Sequence, residues 1–186
     1  MSTVSLYPLF LHLRGRAVLL AGGGKVAAGK LSGLLDAGAQ VTVVAPQILP
    51  DLERPGVRLL RRAFEPADLD GKWYAVAAAP AEVNRQVAAA AAERRIFVNA
   101  VDDTQSASAF LGGVVRKGGV TVCVSTDGRA PALAGLLREA LDAVLPDDLE
   151  EWVAAAVRLR GRWRADGVPM AERRPQLLRV LQGLYS

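Results

Sequence analysis

Ala17-Val-Leu-Leu-Ala-Gly-Gly-Gly-Lys-Val-Ala27 runs five apolar residues into three glycines and then into a helical pattern that begins near Val26. That order reads as strand, tight turn, helix. Gly22, Gly24 and Ala27 fill the three defining places of G-x-G-x-x-A. The first glycine turns the backbone sharply at the strand end, the second lets a pyrophosphate approach the main chain, and a small third residue lets the helix pack close to the strand. The helix N-terminus then offers free N–H groups and a partial positive charge to phosphates. Glycine-rich loops are common, and the motif gains meaning from its place between a strand and a helix near the start of an alternating chain.

Outward from the turn, the periodicity predicts a helix over 26–37, with Leu31, Leu34 and Leu35 on its apolar stripe and Gly38 stopping it. Residues 40–44 read as a buried parallel strand. An acid often follows that strand to hold the adenosine ribose; here Ala45, Pro46 and Gln47 stand there, and neither the acid nor an arginine for a 2′-phosphate is present. Gln47 is able to hydrogen-bond a ribose hydroxyl. Further strands are expected over 57–60, 73–78 and 96–101, with a short turn or helix over 66–71 and an alanine-rich helix over 81–94. Strands alternating with helices build a parallel sheet through right-handed crossovers.

After Asp102-Asp103 the rhythm changes. Two apolar runs, 110–115 and 120–125, flank Arg116-Lys117-Gly118-Gly119, which is a hairpin signal. Pro131 opens a helix whose Leu133, Leu136, Leu137, Ala140, Leu141 and Val144 share one face. Pro146-Asp147-Asp148 breaks it, and helices over 149–163 and 171–183 follow.

Bulk properties narrow the class. At 186 residues and 51% hydrophobic, the chain is long enough and apolar enough for a real core. Its net charge of +4 attracts polyanions without choosing among them. The basic stretch Arg158, Arg160, Arg162 and Arg164, near Trp152 and Trp163, is accompanied by no nucleic-acid motif and reads as a solvated helix face or a cap over a cleft. The single cysteine, Cys123, permits no internal disulfide and reads as a buried, inert thiol in an apolar strand. The lone His12 makes neither a metal site of the usual kind nor a hydrolase triad, and reads as a partly exposed packing residue. Met1-Ser-Thr-Val-Ser-Leu6 lacks a signal-peptide layout, and no apolar run approaches the ~20 residues of a membrane span. The expectation is a cytoplasmic protein bound to neither membrane nor nucleic acid.

Several motifs now stand in one order: 19–27, Lys30, 34–46, Val76-Ala-Ala-Ala79 with Val83-Asn84, Asn99-Ala-Val-Asp-Asp103, and Val124-Ser-Thr-Asp-Gly-Arg-Ala-Pro131 leading into 133–138. Together they closely resemble the precorrin-2 dehydrogenase/sirohydrochlorin ferrochelatase family, the N-terminal module of siroheme synthases, over nearly the whole chain. The resemblance implies an α/β fold: an NAD-binding Rossmann domain over 1–107, a short β dimerisation region over 108–145 and a helical domain over 146–186, in an intertwined homodimer. It implies NAD as cofactor and oxidation of precorrin-2 to sirohydrochlorin. Some members also insert a metal, with Fe2+ or Co2+ as substrate. Carried over by motif, Gly22, Gly23, Gly24, Lys25 and Val26 hold the pyrophosphate, Pro46 and Gln47 line the adenosine side, and Asp102 serves dehydrogenation and chelation. Thr126 matches a serine phosphorylated in some members. The chain departs from the family pattern at Ala78-Ala79-Pro80 and Asp102-Asp103-Thr104.

The chemistry is coherent. Dehydrogenation needs a hydride acceptor, which the cofactor supplies, and a proton acceptor, for which a carboxylate serves. An Asp with an ordinary pKa of about 3.9 is a weak base at neutral pH unless its surroundings raise it. Asp103, taken as extended backbone, points away from Asp102. Precorrin-2 carries several carboxylates, and Arg116, Lys117, Arg129 and Arg138 are expected near the mouth of the site. The alternative left open is a non-catalytic sensor or carrier of nucleotide or tetrapyrrole on the same fold.

Overall fold

Strand β1 (Ala17–Ala21) is the middle of a five-stranded, all-parallel sheet ordered β3-β2-β1-β4-β5, with β2 at Gln40–Val44, β3 at Arg58–Leu60, β4 at Tyr74–Ala77 and β5 at Phe97–Ala100. This is a computed structural model that describes residues 6–184; the expectation about the first five residues lies outside them. The chain divides into two compact units, residues 1–111 and 112–186.

In the first unit the strands are buried on both faces, which is why they are short apolar runs rather than alternating ones. On one face Val18, Leu20, Val43 and Val76 pack against Ala27, Leu31 and Leu34 of helix α1 (Lys25–Asp36). On the other, Leu19, Ala75 and Val98 pack against Val87, Ala88 and Ala91 of helix α2 (Ala81–Glu93). Leu19 and Leu20 are fully buried, each contributing about 1.5–3 kcal/mol of transfer free energy. Strands β2 and β3 step outward from β1 on one side, and β4 and β5 on the other. The order therefore reverses between β1 and β4, where open α/β sheets bind their ligands. The parallel sheet and its helices match the expected Rossmann-type α/β architecture.

In the second unit β6 (Gly113–Lys117) and β7 (Val120–Val124) form an antiparallel hairpin around Gly118-Gly119, both left-handed. The two-residue turn fixes the register, so pairing starts with Gly113 opposite Val124. That is why the first strand begins three residues later than its apolar run suggests. Helices α3 (Pro131–Val144), α4 (Leu149–Ala165) and α5 (Met170–Gln182) follow. Of α3, only Ala134 is buried, on the side that meets Gly113; Leu133, Leu136, Leu137 and Val144 are exposed.

Cys123 corrects the reading of its strand. It is exposed, because a two-stranded hairpin covers one face only and Thr121 and Cys123 point from the other.

Candidate active site

Gly22 adopts φ +133, and a Cβ there would lie 2.2 Å from the carbonyl oxygen of Ala78 at the end of β4. The turn thus crosses the point where strand order reverses, and only glycine allows that approach. Gly23 is as tightly held from the other side: a Cβ would lie 1.8 Å from the Gln47 carbonyl oxygen. The Leu49 N–H donates to the Gly23 carbonyl at 2.9 Å. The loop after β2 is therefore fastened directly to the glycine turn.

Gly24 differs, since nothing lies within 4 Å of a Cβ built on it. Its open side faces a cavity of about 590 Å³ lined by Gly23, Gly24, Lys25, Gln47, Ile48 and Leu49. Gly24 is also the N-cap of α1, and Lys25 is the helix's first residue, one earlier than the periodicity suggests. The first intrahelical bond runs from the Ala28 N–H to the Gly24 carbonyl. The amides of Lys25, Val26 and Ala27 precede it, and no acid sits in this first turn. A cationic helix start, an uncapped set of amides and a glycine with no side chain in the way fit a dinucleotide's pyrophosphate.

Of the cofactor residues expected from sequence, Gly23, Gly24, Lys25 and Gln47 come together around this cavity. Gly22 is buried beneath it, while Val26 and Pro46 are exposed beside it without lining it. Ile48 and Leu49 also line the cavity and were not among those expected; their sequence signal is that they follow Gln47 in a loop. Gln47 occupies the place of the absent acid.

Asp102 follows β5, at the same carboxyl edge of the sheet as the glycine turn and two strands from β1. Strand spacing makes the lateral offset about 10 Å. It does not line the glycine cavity. Its backbone is left-handed at φ 58 and its side chain is exposed. The pair Asp102-Asp103 is therefore a turn and not extended chain, which corrects the reason for setting Asp103 aside. Asp103 is committed for another reason. Its Oδ1 accepts the amides of Gln105 at 3.2 Å and Ser106 at 3.1 Å. These Ser106 and Gln105 hydrogen bonds hold its carboxyl below the ordinary carboxylate range.

The turn is closed at its base. Ser108 and Ala109 return along the outer edge of β5, and both donate their N–H groups to the Val98 carbonyl. The Val98 N–H donates to Ser108 Oγ at 2.9 Å, and Asn99 Nδ2 donates to the Ala109 carbonyl at 3.1 Å.

The four cations expected near the mouth all belong to the second unit. Lys117 Nζ donates to the Leu145 carbonyl at 2.8 Å and pairs with Asp147 at 2.7 Å, so it anchors the corner after α3. Arg129 pairs with Asp127 at 3.2 Å and Arg138 with its neighbour Glu139 at 3.0 Å; Arg116 is exposed. Thr126 Oγ1 accepts the Ala130 amide at 3.2 Å in the loop before α3. Among the described residues no three His, Cys, Asp or Glu side chains gather as a metal-holding cluster, and no helix is long and apolar enough to cross a membrane.

Residues 9–113 match the profile of a family described as putative NAD(P)-binding. The chain is 44% identical over 172 residues to siroheme synthase 3 of Aeromonas hydrophila, an alignment covering 90% of this chain and 37% of that protein. It is 41% identical over 172 residues to a siroheme synthase of Citrobacter koseri, covering 90% and 38%. The chain thus spans under two-fifths of the length of these curated relatives. A solved structure described as SirC, precorrin-2 dehydrogenase, shares the fold with a TM-score of 0.71 at 23% identity, over 94% of this chain and 89% of that one.

Proposed function

Because this chain belongs to the putative NAD(P)-binding family, we propose that it binds NAD at the glycine turn and oxidises precorrin-2 to sirohydrochlorin. The observation that carries this is the shared carboxyl edge of one sheet: an open phosphate seat at Gly24 and an exposed carboxylate on a braced turn at Asp102. The likeness in sequence to siroheme synthases supports precorrin-2 as the substrate of this reading.

The amides after Gly24 and the Lys25 ammonium would hold the pyrophosphate, and Gln47 and Leu49, which line the same cavity, would meet the adenosine half. Bound NAD+ supplies the hydride acceptor. Removal of two hydrogens from precorrin-2 sends one away as hydride and one as a proton. A carboxylate oxygen of Asp102 accepts the proton and returns it to solvent, for which its exposed place suits it. Iron or cobalt enters this reading as a second substrate, for which Asp102 takes pyrrole protons. A soluble, cytoplasmic setting suits such a reaction.

The exposed leucines of α3, Leu133, Leu136 and Leu137, fit a second copy of the chain, since large exposed apolar side chains of this kind mark an interface, and the uncovered face of the hairpin that carries Cys123 is open to the same partner. The second copy makes the unit a homodimer.

The test is an anaerobic absorbance assay with precorrin-2 and NAD+, followed by Fe2+ or Co2+. Wild-type protein forms sirohydrochlorin and NADH in equal amounts. Asp102→Asn binds NAD+ normally and loses about 10²–10⁴-fold in turnover. Full turnover by Asp102→Asn would remove the assigned role, and no turnover by wild type would remove the proposed reaction.

A further inference from the structure

The parallel ladder stops before the functional turn begins. Its last bonds run from the Ala78 N–H to the Ala21 carbonyl and from the Val101 N–H to the Ala77 carbonyl. Past that point the Ala79 N–H and the Val101 carbonyl need another partner, and one side chain serves both. Asn84, in the first turn of α2, is 3% exposed. Its Oδ1 accepts the Ala79 N–H at 3.0 Å, and its Nδ2 donates to the Val101 carbonyl at 3.3 Å.

The two anchored groups are not ordinary loop atoms. Ala79 leaves β4 directly beside Ala78, whose carbonyl presses on Gly22. Val101 precedes Asp102, so the plane of its carbonyl is the plane from which the φ of Asp102 is measured. Asp102 is a non-glycine residue at φ 58, a conformation that persists only where the surroundings over-determine it. On the far side of Asp102, the Asp103 N–H reaches only the Ala100 carbonyl at 3.4 Å. The Asn84 carboxamide is thus a strut between the connection that meets the glycine turn and the peptide that aims Asp102.

We propose that Asn84 is a positioning residue, which acts through the Val101 carbonyl to hold Asp102 at a fixed place relative to the glycine turn. The inference rests on the reading of Asp102 as the proton acceptor. Asparagine is required because the strut needs one acceptor and one donor at its two ends. Aspartate keeps the bond to Ala79 but turns an oxygen toward the Val101 carbonyl. Serine is too short to reach both groups.

Asn84→Asp and Asn84→Ser separate positioning from folding. Thermal unfolding and NAD+ titration of each variant establish that the glycine site is intact. Turnover of precorrin-2 then falls about 10–100-fold in kcat, the scale of an ångström-sized misplacement, with the Kd for NAD+ and the KM for precorrin-2 unchanged. Placed on Asp102→Asn, Asn84→Asp lowers the residual rate no further, because both changes remove one function. The inference is overturned if a folded Asn84→Asp turns over at the wild-type rate, or if the losses multiply in the double variant. It is also overturned if neither variant folds, since Asn84 then supports the fold as a whole. Wild-type protein inactive on precorrin-2 would overturn the proposed function and this inference with it. An active wild type and a dead Asp102→Asn beside an unaffected Asn84→Asp would overturn this inference alone.

Discussion

Alanine at Gly24 and alanine at Gly23 differ by one position and should fail in different ways. A Cβ on Gly24 meets no atom within 4 Å, and its backbone, φ −96 and ψ −172, is ordinary for any residue. Gly24→Ala should change stability by less than about 1 kcal/mol, since the gain through the unfolded state opposes the poorer fit of alanine at a helix N-cap. The methyl group nevertheless stands on the open side of the phosphate seat. If it weakens NAD+ tenfold, ligand stabilisation at a concentration of about 100 wild-type Kd falls from about 2.7 to about 1.4 kcal/mol. A Cβ on Gly23 instead lies 1.8 Å from the Gln47 carbonyl oxygen and 3.0 Å from Ala45 Cβ, against backbone and a short side chain that cannot rotate away. Overpacking costs about 1–3 kcal/mol, and loss of the Leu49-to-Gly23 bond adds about 1 kcal/mol. At about 2–4 °C per kcal/mol for a chain of this size, Tm should fall by roughly 5–15 °C. Circular-dichroism melts with and without NAD+, beside calorimetric titration, read both quantities. A Gly24→Ala protein with the wild-type Kd and the full ligand shift would show that phosphate does not sit at Gly24. A Gly23→Ala protein as stable as wild type would show that the loop after β2 is not seated on the turn.

Asp68 makes a pH prediction. Its burial acts to raise its pKa, but the Arg62 guanidinium, with one arm at 2.9 Å, and the Glu65 amide outweigh burial and hold it below its ordinary value. A depressed folded pKa adds stability that is present at neutral pH and is lost on acidification below roughly pH 4. Asp68→Asn should therefore melt lower at pH 7, with the gap to wild type closing in acid; an equal gap at both pH values would refute the coupling. In the second unit, Leu136→Asp should lower the mass seen by light scattering from two chains to one, and Cys123 should react faster with maleimide in that variant. A wild-type protein already of single-chain mass would refute the pairing of copies through this face. Turnover by Asp102→Asn, measured as described above, completes the set.

The Rossmann half was legible because its signals are local. A five-residue apolar run into glycines, or a β-branched strand after Gly38, states its own conformation, and the helices of this unit fall within a residue or so of their periodicity. The phosphate end of the site was legible for the same reason, since its glycines and helix start are consecutive. The rest depends on partners far along the chain. Nothing near Cys123 reveals that its strand has one covered face. Nothing near Lys117 reveals that it turns to Leu145 and Asp147. Asn84 looks like an ordinary polar residue of an alanine-rich helix until Ala79 and Val101 are found on either side of it. The turn at Asp102 was read as extended because a single sequence carries little warning of a left-handed aspartate.

The way Ser108 and Ala109 double back beside Val98 bears on more than geometry. An outermost strand ordinarily offers bare amides and carbonyls to any passing strand and so invites fibrillar stacking. Here the departing polypeptide acts as its own seam, and the serine hydroxyl accepts where a neighbouring backbone would. Mutations that loosen this seam, such as Ser108→Ala, should therefore be felt as a tendency to aggregate as well as in the placing of the Asp102 turn.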